Sequence, residues 1–400
     1  MREGGYSKMK LKWKPISLPN LYVFLLILVS CWEVIMPSSF FDEILLIGML
    51  VYIGVEKCFL SRKMSLIITL FLTWSLIGIL LSFHASGYSL FILIDSIKPL
   101  LMLVTFLAIR IDENYFKRIV EYYCIINIPS AIVGIINGVF YNYLGRELLI
   151  DSGSLKYIDG VLVERAGGLV FVSGVFSDIC AMLFVCVLFM YKWDIKKIIL
   201  LCLYLVGLLF GRGRFPLLLM ATGVSWYLWV KLHNKYRKFL LFVIIGIMTI
   251  ATVPLVKFIL TEYAFDFENQ VRFVPYSMLF IIPEQILFFG AGMGIVGSTD
   301  SYLYAADLYS KYGVDSFKGL DWEAQLGKLL VQTGVVGTVL WFYPFVCGLI
   351  NAFKSKSIYK NVCIFIIGYY LINLTMNKSY EVQILVLVCS AISLVSKRKL

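Results

Sequence analysis

Residues 208–223 read LLFGRGRFPLLLMATG, with two arginines set between two apolar runs. Each run belongs to a stretch of about 20 apolar residues, the length of helix that crosses a bilayer. Because a guanidinium group inside hydrocarbon is costly, arginines at such a position lie at the membrane surface or face a specific partner. The stretch therefore predicts two membrane-spanning helices joined by a short turn that carries Arg212 and Arg214.

The composition of the chain is that of an integral membrane protein. Of its 400 residues, 60% are hydrophobic and 15% are charged, whereas a soluble domain has about 45–50% apolar and about 25% charged residues. We predict an all-α polytopic membrane protein in which residues 1–400 form a single integral membrane domain. The net charge of +11 does not indicate a nucleic-acid partner, because the basic residues lie in short clusters between apolar runs. The nine cysteines lack metal-ligand spacing, and we expect no metal and no cofactor.

About twelve transmembrane helices are predicted from the apolar runs. They lie near 17–36, 40–60, 65–83, 89–109, 119–140, 167–191, 195–211, 215–231, 239–260, 322–350, 359–376 and 380–396. The basic N-terminal segment leads into the first run without a small-residue cleavage site, so this run is interpreted as a retained span.

The distribution of Lys and Arg predicts the orientation. Basic clusters occupy the N-terminus, the C-terminal tail and every second loop, at 57–63, 110–118, 192–197, 231–238 and 354–360. Since basic residues concentrate on the cytoplasmic side, we expect both termini in the cytoplasm and the chain in the cytoplasmic (inner) membrane. The two long connections, 141–166 and 261–321, are then extracytoplasmic, and function is expected there.

Part of the longer loop is apolar. Residues 276–294 read YSMLFIIPEQILFFGAGMG, a run interrupted by Pro283 and Glu284. It is too short and broken to span a bilayer as one helix. We expect it to lie along the membrane surface, or to dip into it, as an amphipathic element.

Three charges fall inside predicted spans. Asp95 and Lys98 are three residues apart in one helix, so we expect them to share a face and neutralise one another. Asp178 lies within the sixth predicted helix and needs a partner that the sequence does not identify.

The arginine turn suits a phosphate ligand. On the predicted topology Arg212 and Arg214 occupy a four-residue outer turn, where Gly211 and Gly213 would let a ligand approach the backbone and Pro216 opens the next helix. Guanidinium groups bind phosphate oxygens in a bidentate way, and a helix N-terminus adds partial positive charge. The turn is thus a candidate site for a lipid diphosphate. The alternative is a tight turn whose arginines reach ordinary lipid headgroups.

Three segments carry a family resemblance. They are FGRGRFPLLLMATG (210–223), with arginines at a helix start; VRFVPYSMLFIIPEQILFFGAGMG (271–294), with an arginine, an apolar stretch, a proline and a glycine-rich end; and DWEAQLGKLLVQTGVVGTVLWF (321–342), an acid-led helix with Gly334 and Gly337. Their order and sidedness resemble those of the bacterial O-antigen polymerase and O-antigen ligase superfamily, which includes capsular polysaccharide polymerases. The resemblance covers most of the chain and implies a GT-C-like membrane fold with one large extracytoplasmic loop that contains short helices.

The histidines distinguish two activities within that superfamily. Ligases carry a histidine in the large outer loop, at the head of its last helix, whereas this chain has only His84 and His233, neither of them in that loop. Asp321 or Glu323 takes the equivalent place. The resemblance therefore favours a polymerase, a glycosyltransferase that moves a growing glycan from a polyprenyl diphosphate to an incoming lipid-linked repeat unit.

The resemblance also implies roles for individual residues. Arg212, Arg214 and Arg272 would stabilise the leaving diphosphate without a metal, and Arg165 is a further candidate contact. Glu323, or less favourably Asp321, would accept the proton of the attacking hydroxyl. The alternative is that Asp321 is a helix N-cap and Glu323 a first-turn residue that stabilises the helix dipole. The expected partners are the polyprenyl diphosphate-linked oligosaccharide, the membrane and, as a candidate, a chain-length regulator.

A transporter or lipid-linked oligosaccharide flippase is the second interpretation of the same spans. Such a protein is expected to have paired halves, broken helices at the membrane midplane and short loops on both sides. The chain has no visible internal repeat and a long outer loop, 261–321. An O-antigen ligase ranks third.

Overall fold

The computed structural model describes most of the transmembrane helices and parts of the loops. The described residues are 18–32, 41–55, 62–81, 87–144, 154–158, 161–170, 173–231, 274–276, 288–294, 297, 310, 324–375 and 382–396. Eleven long helices lie within these ranges: α1 (Leu18–Cys31), α2 (Phe41–Val55), α3 (Arg62–Leu81), α4 (Gly87–Ile109), α5 (Glu113–Leu144), α6 (Ser173–Met190), α7 (Ile195–Gly211), α8 (Arg214–Lys231), α9 (Gln325–Lys354), α10 (Lys360–Asn373) and α11 (Val382–Val395). Eleven of the twelve predicted helices thus have a counterpart. The twelfth, at 239–260, lies outside the described residues.

The helices have the composition of membrane spans. Within the described ranges, five are long and apolar enough to cross a membrane: Arg62–Leu81, Ile92–Ile109, Glu113–Tyr141, Ser173–Met190 and Gln325–Lys354. Three shorter helices, α1, α10 and α11, are also apolar. The chain is therefore a helical membrane protein, and the total of twelve crossings stays a prediction.

The predicted helical class is confirmed, with one local exception in the first long loop. Helix α5 continues to Leu144, and strands β1 (Ser154–Ile158) and β2 (Val161–Arg165) form an antiparallel hairpin in which Ile158 pairs with Val161. The connecting residues 159 and 160 are Asp-Gly, the dipeptide that favours a two-residue hairpin loop. The sequence therefore contained the hairpin signal, inside a segment interpreted only as a loop.

Helix α11 lies at the centre of the bundle. It contacts α1, α4, α5, α6, α9 and α10, and every residue from Val382 to Ile392 is buried. A helix that is apolar on all sides is stable only when neighbours surround it or lipid does. Here the neighbouring helices surround it.

Helix ends that carry basic clusters lie together on one side of the bundle, as the predicted orientation requires. The Tyr115 hydroxyl donates to the Pro19 carbonyl at 3.0 Å, which joins the starts of α5 and α1. The backbone N–H of Ile358 donates to Glu113 at 3.1 Å, which brings the α9–α10 connection to the same level. These ends carry the clusters at 110–118 and 354–360, so the two clusters share a side.

Lys98 finds its partners on another helix. Its ammonium lies 2.5 Å from an oxygen of Asp42 and 2.6 Å from one of Glu43, both in the first turn of α2. The sequence did not reveal these two carboxylates, because ion pairs between helices depend on packing. The expected pairing of Lys98 with Asp95 stays a prediction. The pairs hold α2 against α4.

Helix α9 is broken at Gly334, which has φ 66° and ψ −175°. The three carbonyls before the break accept hydrogen bonds from other parts of the chain. Val331 and Gln332 accept from the backbone N–H groups of Ala291 and Gly292 at 2.8 and 3.0 Å, and Thr333 accepts from the indole of Trp74 at 2.9 Å. These three carbonyls thus have donors from the protein itself, as the interior of a bilayer demands.

The last residues of the glycine-rich end of the apolar loop segment, 292–294, are buried among the helices. Whether the segment lies along the membrane surface or dips into it stays a prediction. Met293 is fully buried, and the Phe289 ring stacks on Trp74 of α3 at 5.5 Å between centroids. A Cβ at Gly294 would lie 3.1 Å from the Ser89 Cα of α4. This end packs between helices α3, α4 and α9, while residues 277–287 lie outside the described chain.

Replacing Gly334 by Ala should strongly destabilise the protein. The new Cβ would overlap the Phe288 carbonyl oxygen, and the left-handed backbone disfavours any side chain. Such a backbone costs about 1–3 kcal/mol before the overlap is counted, so the melting temperature in detergent should fall by roughly 5 °C or more. The control is Gly368→Ala in α10, where nothing lies within 4 Å of the added Cβ. Equal melting of the two variants would contradict the break as described.

Candidate functional site

The arginine turn is shorter than the sequence suggests. Helix α7 ends at Gly211 and α8 begins at Arg214, which leaves only Arg212 and Gly213 between them. Arg212 adopts the left-handed conformation, with φ 51° and ψ 29°, and its N–H donates to the Leu208 carbonyl at 3.1 Å. The Arg212 residue is half-buried, while the side chain of Arg214 lies outside what the structure describes.

The two glycines of the turn face a neighbouring helix. A Cβ at Gly211 would overlap the Ser177 Oγ of α6, and one at Gly213 would lie 2.5 Å from the Ser177 Cβ. Ser177 is fully buried, and its hydroxyl donates to the Ser173 carbonyl at 2.8 Å. The expectation that these glycines admit a ligand is therefore wrong. They admit α6, and this close approach fixes the turn.

The end of the β-hairpin joins the same turn. The N–H of Ala166, the residue after Arg165, donates to the Phe210 carbonyl at 3.2 Å. Two residues later, Gly168 has φ 63°, and the N–H of Leu169 donates to the hydroxyl of Ser130 in α5 at 2.9 Å. Helix α6 consequently begins at Ser173 and not near 167 as predicted. The backbone that follows Arg165 thus lies beside the end of α7, next to the arginine turn, while the Arg165 side chain lies outside the described atoms.

Asp178 has the partners that the sequence did not reveal. It follows Ser177 in α6, and its carboxylate accepts hydrogen bonds from the Tyr369 hydroxyl and, at 3.2 Å, from the Asn373 amide. Both donors belong to α10, and all three side chains are buried. The only sequence signal was Asp178 itself, since a carboxylate inside a span needs donors.

The start of α9 lies against the end of α10 that carries Asn373. The Leu326 N–H donates to the Leu374 carbonyl at 3.0 Å, and the Tyr276 hydroxyl donates to the Thr375 carbonyl at 2.6 Å. Burial raises the pKa of Tyr276 to about 12, so the hydroxyl keeps its proton at physiological pH. Pro275 packs against Gly327. Segment 274–276 and the first turn of α9 therefore converge.

The two acids precede the described start of α9. Helix α9 begins at Gln325, its N-cap position is Ala324 and its first turn contains no acidic residue. The described helix therefore starts later than expected from an N-cap at position 321 and a first turn that contains position 323. The catalytic and the helix-end interpretations of the two acids both stay predictions. Both acids lie outside the described residues, as does Arg272. Their described neighbours, Ala324 and Val274, are buried.

A continuous path of contacts links the two halves of the candidate site. It runs from the arginine turn to Ser177 and Asp178 of α6, then to Asn373 and Leu374 of α10, and then to Leu326 of α9. Within the described ranges no group of three or more His, Cys, Asp or Glu side chains is placed to hold a metal. That the site works without a metal stays a prediction.

Comparison with known proteins does not assign the chain to a family. No protein-family model matches the chain, and a search of curated proteins finds no match. The functional argument therefore depends on the residues and their geometry.

Gly211→Ala should destabilise the turn, and Ser177→Ala should restore much of the loss. The added methyl group would meet Ser177 Oγ, and overpacking of this kind costs about 1–3 kcal/mol. Removing that oxygen relieves the main overlap and leaves a tight contact with Phe176 at 3.2 Å. Thermal unfolding of the single and double variants measures the rescue. Gly174→Ala, with nothing within 4 Å of its Cβ, should melt like wild type, and failure of Ser177→Ala to rescue would exclude this contact as the cause.

Proposed function

We propose that the chain polymerises lipid-linked oligosaccharide repeat units at the outer face of the cytoplasmic membrane. It would transfer the growing glycan from polyprenyl diphosphate to a hydroxyl of the incoming unit. The observation that supports this best is the arginine turn, held on α6 and linked through α10 to the acid-led start of α9. An anion site and a base are the two groups that such a transfer needs.

The arginine turn supplies the anion site. The packing of Gly211 and Gly213 on α6 holds the backbone rigid, so the guanidinium groups of Arg212 and Arg214 start from a fixed base. The first N–H groups of α8 add partial positive charge beside them. Arg272 and Arg165 would extend the site. Preorganised donors at a membrane surface stabilise the negative charge that grows on a leaving diphosphate.

The acid before α9 supplies the base. In the reaction, the acceptor hydroxyl oxygen bonds to the anomeric carbon of the donor sugar, and the bond from that carbon to the diphosphate oxygen breaks. The diphosphate leaves with the bonding electrons, and Glu323, or less favourably Asp321, takes the hydroxyl proton. Both acids precede the described start of α9 at Gln325.

The proposed topology follows from the charges. Both termini face the cytoplasm, twelve spans cross the membrane in a GT-C-like arrangement, and the connections 141–166 and 261–321 face outward. The arginine turn, the hairpin and the start of α9 then share the outer side. Two basic clusters that the bundle brings together, 110–118 and 354–360, support the opposite side as cytoplasmic.

If the protein were a flippase or a ligase, cells that lack it would accumulate different products. Loss of a polymerase leaves single repeat units on the cell surface. Loss of a flippase leaves no repeat units there, and loss of a ligase leaves long polymer on its lipid carrier. The broken helix α9 resembles a transporter feature, but its break is filled by residues 288–294 of the same chain, which favours the enzyme.

Arg212→Lys and Arg214→Lys should each slow elongation of a purified lipid-linked repeat unit by about tenfold or more, because lysine keeps the charge and loses the bidentate fork. Protein yield and melting temperature should be unchanged. Arg110→Lys is the matched control, since Arg110 also follows a helix in the left-handed conformation, with φ 58°, but lies at the opposite, basic side. Wild-type rates in both turn variants would contradict a diphosphate site there.

Glu323→Gln should abolish elongation and keep donor binding, because the amide cannot accept the hydroxyl proton. Asp321→Asn should have a smaller effect. Rates come from the reconstituted assay, and donor affinity comes from binding of polyprenyl diphosphate to the same preparations. Normal polymer from the Gln variant, together with none from the Asn variant, would assign the base to Asp321. Normal polymer from both would remove the carboxylates from the mechanism.

A further inference from the structure

A buried polar cluster lies between α6 and α10. Asp178, Tyr369 and Asn373 are each 3% exposed or less. Tyr369 and Asn373 are four residues apart on one face of α10, and each donates a hydrogen bond to a different oxygen of the Asp178 carboxylate. A carboxylate held by two donors from one helix face fixes the rotation of that helix as well as its distance.

The cluster lies midway along the path through the candidate site. On one side, Ser177 is adjacent to Asp178 and fills the space beside Gly211 and Gly213. On the other side, Leu374 is adjacent to Asn373 and accepts the Leu326 N–H of α9. One end of the path is the proposed diphosphate site, and the other end leads to the proposed base.

We propose that Asp178 is a positioning residue for glycan transfer, which sets the start of α9 in register with the arginine turn through Tyr369 and Asn373. This inference rests on the proposed function. Asp178 is buried and acts through these neighbours without contacting substrate.

The physical reason is that neither the buried cluster around Asp178 nor the reacting groups of glycosyl transfer tolerate a small displacement. Removing one donor from a buried carboxylate leaves an unsatisfied charge or polar group, so the end of α10 shifts to a different arrangement. Glycosyl transfer needs the hydroxyl and the anomeric carbon in near-attack geometry, where a displacement of about 1 Å can slow the reaction about a hundredfold. A small rotation of α10 would therefore change turnover more than it changes folding or donor binding.

The test compares two tyrosine-to-phenylalanine variants. Tyr369→Phe removes the hydrogen bond to Asp178. Tyr123→Phe removes an equally buried hydroxyl that donates to the Gln383 carbonyl at 2.7 Å, between α5 and α11 and off the path. Both should lower the melting temperature by a similar few degrees. Only Tyr369→Phe should lower kcat, by about tenfold or more, with KM for the donor within about twofold of wild type.

A purely structural role of the cluster predicts equal turnover of the two variants. Turnover of Tyr369→Phe equal to that of Tyr123→Phe would overturn the inference. Asp178→Asn, which keeps the shape and removes the charge, should reproduce the kcat loss of Tyr369→Phe. A wild-type kcat for Asp178→Asn would also overturn it.

Hydrogen exchange separates this inference from the proposed function. In Tyr369→Phe, the backbone amides of Arg212 and Leu326 should both exchange faster than in wild type, and in Tyr123→Phe neither should. Wild-type protein that does not elongate repeat units refutes the proposed function. The amide exchange rates still show whether Tyr369 connects the arginine turn to the start of α9. Unchanged exchange at both amides in Tyr369→Phe refutes the link itself.

Discussion

Every backbone and side-chain polar group inside a bilayer must find its partner within the protein, and this constraint determines the architecture. The break of α9 at Gly334 is the clearest case. Three carbonyls leave the helical pattern there, and Ala291, Gly292 and Trp74 supply the donors. Residues 288–294 and helix α3 pack against α9, and without these donors the break would leave unsatisfied groups, each costly in hydrocarbon.

The same constraint shapes the candidate site. Asp178 is tolerable inside the bundle because two donors of α10 meet it, and those donors in turn determine where the end of α10 lies. Ser177 occupies the space that Gly211 and Gly213 leave open. The arginine turn thus has a base of protein contacts on α6, and anion binding by its guanidinium groups is the proposed function of this turn.

Sequence periodicity and turn chemistry predicted the helices well and the breaks poorly. Eleven predicted helices have counterparts in the described ranges, because about 20 apolar residues in a bilayer have few alternatives to a helix. The hairpin around Asp159 and Gly160 was missed because its two short strands lie in a segment that was interpreted only as a loop. The break at Gly334 was missed because glycine is tolerated in a helix, and only the donors from residues 291 and 292 make the break stable. The role of Gly211 and Gly213 was wrong because both pack against Ser177, and a sequence does not show which helices touch.

The sequence by itself determined the class of protein, the helical segments and the chemistry available at Arg212, Arg214, Glu323 and Asp321, since hydropathy and residue type are local properties. Only the tertiary structure decided the partners of Asp178, the donors for the α9 carbonyls and the start of α9 at Gln325. These features join positions far apart in the chain, such as Asp178 and Tyr369. Packing in three dimensions brings such positions together, because a buried polar group is stable only where another element supplies its hydrogen bond.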